Sequence, residues 1–403
     1  MTMSVWKSRA WLAACICLVV VACGGGGPDR LTVRGGALVD PLGDNLGTRA
    51  SYKMAPTGDG DVYLIGWDRE NIESVICDSD LTCSSVDAPV ADPTTLLRVG
   101  LVPDGDAGVT QVQLTCSSVD GCDDGSVVLS FQVLAQGSFG DSTSYRPEMF
   151  AEPGPGDDPP PDPDMSRLYV RSGGDRLVVA ILAHPERSAV IWMDTAEGRV
   201  LAEHSIDVNI VGAMVDADGA VTALTVDLDL PAGPIEGGPD DAPPLPTGPI
   251  RSVTIDQEGR TAIGDVPGLA SPPVNPIAAI DSRFLEVNPA SGRVIDLLAD
   301  REVARLEPLE GAGGGAASCE GAGAAAVVSA HTSNPDSNQA DLWLAWDDRG
   351  DLVVERLRFD GLVVLAEACA AQDAVFVLTV RQSYGDLEST PATNVELTTL
   401  QSP

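Results

Sequence analysis

The apolar positions of this 403-residue chain fall in short runs with the period of strands. Val62–Trp67 (VYLIGW), Ser126–Leu134 (SVVLSFQVL), Arg176–Ala183 (RLVVAILA), Asp341–Trp346 (DLWLAW) and Ala374–Val380 (AVFVLTV) are rich in Val, Leu and Ile, and several alternate apolar with polar. No long segment keeps a helical period. The alanine-rich stretch 311–328 carries too much glycine to hold a helix. An all-β chain is expected.

Between the runs a unit recurs: a β run, an acidic turn ending in glycine, and another β run. It occurs at 192–200, 214–221, 254–261, 285–294 and 344–352. Glycine at the end of such a turn accepts the positive φ that a short hairpin needs. Gly219 and Gly259 differ by 259 − 219 = 40 positions, near a propeller-blade period. Three segments interrupt the pattern as loops: the Pro/Asp-rich 151–164 and 231–249, and the Gly/Ala-rich 307–322. Roughly two dozen strands at four per blade give six or seven blades. The hairpin pattern resembles β-propellers of bacterial surface proteins in which such turns join blade strands. The expected fold is therefore all-β, a β-propeller of roughly six or seven blades spanning 49–403. The alternative is two β-sandwich domains split near 160. The propeller predicts that a last strand around Asn394 to Leu400 pairs with an N-terminal strand. The sandwiches predict that residues from Met165 onward fold alone.

The N-terminus changes the picture. Lys7 and Arg9 precede an uncharged apolar stretch, Ala10 to Ala22, which is shorter than the roughly 20 residues of a membrane span. It ends in Val20-Val21-Ala22-Cys23. That resembles the lipobox of bacterial lipoproteins, with Val20 where leucine is usual. The resemblance implies a signal peptide over 1–22, cleavage before Cys23, and lipid on the Cys23 thiol. Two or more acyl chains anchor stably where one does not. Gly24 to Gly27 follow, and 23–48 reads as the lipidated residue and a flexible tether. Gly24 is not the aspartate of inner-membrane retention, so the resemblance implies the outer membrane or cell surface.

Charge excludes one class of partner. The formal net charge is −36, and loss of Lys7 and Arg9 with the leader makes it −36 − 2 = −38. Such a field repels nucleic acid. Nine cysteines are present; Cys15 and Cys17 leave with the leader, and Cys23 takes lipid. The remaining six are even in number, as an oxidising compartment allows. Proximity pairs Cys77 with Cys83, Cys116 with Cys122, and Cys319 with Cys369. The string Leu-Thr-Cys-Ser-Ser-Val-Asp occurs at 81–87 and again at 114–120, so a swapped pairing between those regions is the main rival. No histidine lies near these cysteines in sequence, which disfavours zinc.

Constellations for catalysis are missing from the sequence. It has no Gly-x-Ser-x-Gly elbow, no Ser-x-x-Lys, no His-Glu-x-x-His and no Walker A loop. His184, His204 and His331 are read as surface or strand residues. Lys53 is the one lysine beyond the leader. No catalytic residue, metal ligand or cofactor is assigned. Calcium is the candidate cation, because Asp78, Asp80 and Asp87 surround the first cysteine pair and Asp120, Asp123 and Asp124 the second, and hard cations bind clustered carboxylates. Solvated turn acids are the preferred reading. Trp67, Trp192, Trp343 and Trp346 are read as core. Trp343 and Trp346 are three apart and must face opposite sides of a strand. The functional expectation is a membrane-anchored exported lipoprotein with a non-enzymatic binding or scaffold role towards an envelope protein or polysaccharide. The alternative is a surface hydrolase or lyase acting on glycans or peptides through a carboxylate site.

Overall fold

The computed structural model describes residues 32–46, 50–87, 93–104, 108–116, 122, 127–135, 137–151, 160–174, 176–226, 250–266, 277–280, 283–288, 291–308, 313–319, 325–331, 339–348, 351–360, 362–371, 374–383 and 392–401. Among them, 29 strands form seven antiparallel sheets: six of four strands and one of five. In chain order these are blades 1 (51–85), 2 (96–145), 3 (167–206), 4 (209–265), 5 (277–305), 6 (313–360) and 7 (362–401, with 32–38). The innermost strands are Ser51–Pro56, Leu96–Asp104, Arg167–Ser172, Asn209–Val215, Ile277–Ile280, Gly313–Cys319 and Leu362–Ala371. Each packs against the next blade, and the last returns to the first. The protein is a seven-bladed β-propeller, and one ring forms where two sandwiches were the alternative.

The ring closes between the two ends of the chain. Ala392–Gln401 is the third strand of blade 7, and Thr32–Leu38 is its fourth, paired from Thr32↔Gln401 to Leu38↔Glu396. The C-terminal strand thus pairs as the propeller reading requires. The tether expected over 23–48 ends earlier. Thr32–Leu38 is strand, and the short helix Asp40–Asn45 buries Leu42 completely. Gly35 and Gly36 read as flexible linker, but a Cβ on Gly36 would lie 2.8 Å from Oε1 of Glu396. A side chain there would have to displace the end of the Glu396 side chain.

Blades stack face to face, so central strands are buried on both sides. Val62–Trp67 and Gly108–Cys116 are buried at every position. Successive side chains enter alternate seams. Trp343 packs in the cluster between blades 5 and 6, and Trp346 in the one reaching blade 7. Inner strands approach closely: a Cβ on Gly100 would lie 2.1 Å from Cγ2 of Val170 in the next blade. Outer strands are wetter, and Thr261–Asp265 is almost wholly exposed.

Two expectations need correction. The Gly/Ala-rich segment 307–322 is expected to be a loop, yet Gly313–Cys319 within it is the innermost strand of blade 6. Inner strands converge on the axis, where small residues fit and intrinsic strand preference is overridden. The 40-residue spacing of Gly219 and Gly259 is not a blade repeat. Both glycines end turns of blade 4, separated by the connection 227–249.

Candidate functional site

Neighbouring inner strands run in the same direction. Tyr169 Oη donates to Val211 O (3.4 Å), and Arg171 Nε donates to Ala213 O (3.0 Å), advancing two residues on both strands. The propeller therefore has an entry face, where inner strands begin, and an exit face, where they end. Exit-face connections are short: 57–61, 78–82, 195–198, 216–220 and 256–260. Their acids fold the turns. Oδ1 of Asp78 accepts the N–H groups of Asp80 (2.9 Å) and Thr82 (2.8 Å). Asp194 accepts from Ala196 and Glu197, Asp216 from Asp218 and Ala220, and Asp256 from Arg260. All five recurrent units of the sequence are hairpin connections. The long connections 117–126, 146–166, 227–249 and 266–276 all join strand ends on the entry face. Thr32, where the described chain begins, lies at the exit end of blade 7, opposite Gln401.

On the entry face the seam between blades 2 and 3 carries an unusual group. Arg167 pairs with Ala183, and Ser166 is extended, so continuing that register sets Ser166 opposite His184. Directly opposed residues point to one face of a sheet. That face looks towards blade 2, because Leu168, Val170, Ala180 and Leu182 on it pack with Val102 and Val112. Ser166 is 0% exposed and His184 4% exposed. Ser166 Oγ and His184 Nε2 are both fully covered and without a hydrogen-bond partner. The other ring nitrogen, Nδ1, accepts the N–H of Glu186 at 3.2 Å. A neutral ring held this way carries its proton on Nε2. Burial holds its pKa below the ordinary imidazole value, although the carboxylates of Glu186 and Asp162 pull the other way. From blade 2, Arg98 reaches across: Nε donates to Ser166 O (3.0 Å), and the two terminal nitrogens donate to Leu97 O and Asp164 O (2.7 Å each).

His184 thus departs from the surface or strand position expected of it. It is buried in the tight turn joining Leu177–Ala183 to Ser188–Asp194. Sequence carried no sign that it shares a face with Ser166, because that placement follows only from strand register. His204 lies on the outer strand of blade 3, with Nε2 2.9 Å from Gln257 O and its ring edge-on to Trp192. His331 ends the strand Ala325–His331. Lys53 forms an ion pair with Glu367 across the closing seam between blades 7 and 1, and the second carboxylate oxygen accepts the Met54 N–H at 3.2 Å. Trp67, Trp192, Trp343 and Trp346 are buried, and Trp192 Nε1 donates to Gly219 O at 2.7 Å.

The disulfides Cys77–Cys83 and Cys116–Cys122 are formed. Cys77 and Cys83 are directly opposed on paired strands. Cys369 is disulfide-bonded, and its strand packs against the strand that ends in Cys319; the Cys319 side chain lies outside the described residues. Asp120, Asp123 and Asp124 also lie outside them, as does Cys23 with the whole leader. Asp78, Asp80 and Asp87 do not converge, and among the described residues no three metal-ligating side chains come together. No described helix is long and apolar enough to cross a membrane.

No family model matches the chain, and no curated protein matches it. Solved structures do resemble it. A catalytically inactive virginiamycin B lyase from Staphylococcus aureus with quinupristin matches at 11% identity and a TM-score of 0.47, over 92% of this chain and 99% of that one. An exo-β-1,3-galactanase from Phanerochaete chrysosporium matches at 11% and 0.37, over 92% and 100%. The Dos1 propeller matches at 10% and 0.33, over 87% and 67%. The likeness concerns fold only.

Proposed function

We propose that this protein is an exported lipoprotein, anchored through Cys23 at the outer membrane or cell surface, whose propeller has a non-enzymatic binding or scaffold role. The observation that carries this reading is the division between the faces. The described chain begins at Thr32 on the exit face, and nine residues from Cys23 reach at most about 30 Å when extended. The exit face, with its short turns, is then held towards the membrane. The strand ends that the long connections join lie on the opposite face, which an envelope protein or polysaccharide meets. A binding role is favoured over hydrolysis because Ser166 and His184, although on one face, form no serine–base hydrogen bond: Ser166 Oγ and His184 Nε2 are both without a partner. The anchor is tested by mass spectrometry of the mature N-terminus: a diacylglyceryl group on Cys23 is expected, and an unmodified Cys23 in a membrane-free protein refutes it. The binding role is tested on glycan and peptide substrate panels. No turnover is expected, and turnover abolished by Ser166→Ala establishes the hydrolase instead.

A further inference from the structure

His184 stands where neutral imidazole fits and imidazolium does not. Its Nδ1 must be unprotonated to accept the Glu186 N–H at 3.2 Å, and that bond closes the turn 184–187 together with His184 N–H donating to Arg187 O (3.2 Å). Its Nε2 is covered and unpartnered. A second proton would set donor against donor at Nδ1 and place a full charge in a side chain that is 4% exposed. The charges around the ring are unevenly arranged. Glu186 and Arg187 on its own turn, Asp162 and Asp164 on the connection before blade 3, and Arg167 beside Ser166 are all exposed. From blade 2 comes the cation Arg98, fixed by carbonyls on both sides of the seam. The charges that act on the ring are the exposed carboxylates of Glu186 and Asp162, and both favour its charged form. A charged ring is drawn outward towards them.

We propose that His184 is an acid-operated latch: protonation withdraws its side chain from the seam between blades 2 and 3 and loosens the connection that ends at Ser166. The latch gives the entry face a response to acidification, and it does not depend on the lipid anchor. Withdrawal uncovers the Ser166 hydroxyl, the other unpartnered group on that face of the strand pair. The turn 68–71 of blade 1 holds the equivalent place with no histidine, closed by Asp68 Oδ1 accepting from Glu70 and Asn71.

Hydrogen–deuterium exchange on the full chain tests this at about pH 7 and about pH 5, after correction for intrinsic rates. Peptides covering 160–168 and 182–189 are expected to lose protection about tenfold at the lower pH, and those covering 68–71 are not. His184→Gln keeps an acceptor and a donor but does not titrate, so its protection is expected to hold at both pH values. Equal protection of the unaltered protein at both values, or the same acid loss in His184→Gln, overturns the latch. Should that variant not fold, the unaltered protein still decides, because it has only three histidines to resolve by imidazole resonances. The His184 titration must coincide with the loss of protection, and a ring that stays neutral while the seam opens overturns the proposal.

Discussion

Among the seams of this ring that use a cation from an inner strand, two use it differently. At the closing seam, Lys53 of blade 1 meets a carboxylate, Glu367 of blade 7, which is buried and also accepts the Met54 N–H. At the seam between blades 2 and 3, Arg98 meets only carbonyl oxygens and leaves two covered polar atoms nearby without partners. A buried polar group without a partner costs roughly 1–3 kcal/mol, whereas a paired one is near neutral or favourable. At the seam that joins the chain ends the inner-strand cation is thus paired with a carboxylate, although Tyr52 Oη in the same cluster is covered and without a partner. At the seam between blades 2 and 3 the cation has carbonyl partners alone, and Ser166 Oγ and His184 Nε2 stay covered without partners.

The comparison can be broken most severely at Gly100. Its close approach to Val170 leaves no room for a side chain, so Gly100→Val is expected to destabilise by about 3 kcal/mol through overpacking, read from the urea midpoint. At the closing seam, Glu367→Ala removes the partner of Lys53 and an acceptor for Met54. The loss is expected at about 2 kcal/mol, discounted because Lys53 is partly exposed. An unchanged midpoint would mean that the pair contributes nothing to closure. Ser166→Ala is expected to have the opposite sign, a gain of up to about 1 kcal/mol, because it deletes an unpartnered hydroxyl. A clear loss would show that Ser166 has a partner in solution.

The smallest effect concerns pH. Burial depresses the folded-state pKa of His184 below the unfolded value near 6.5. The folded protein therefore binds fewer protons than the unfolded chain in that range. The stability from this group is complete above about pH 6.5 and falls as the pH drops towards the folded pKa. His184→Gln should flatten that part of the stability curve. A curve of the same slope would assign the acid response to other groups.

Much of the fold was legible because its signals are local. Alternating apolar runs marked the strands, and glycine-ended acidic turns marked the hairpins. Cys77 and Cys83 could be paired from spacing, because a hairpin puts them opposite one another. The opposed faces of Trp343 and Trp346 followed from strand alternation alone. The failures share a cause. Thr32–Leu38 and Gly313–Cys319 are glycine-rich, and glycine marks both flexibility and crowding. Their own residues do not say which.

By itself the sequence determined the strands, the turns, the acidic charge and the lipobox resemblance at Cys23, since each depends on residues adjacent in the chain. Tertiary structure alone decided that seven sheets close through Thr32–Leu38 and Ala392–Gln401, that Lys53 meets Glu367, and that Ser166 lies opposite His184. These contacts join residues whose separation along the chain carries no periodic mark, and only strand register and ring closure bring them together.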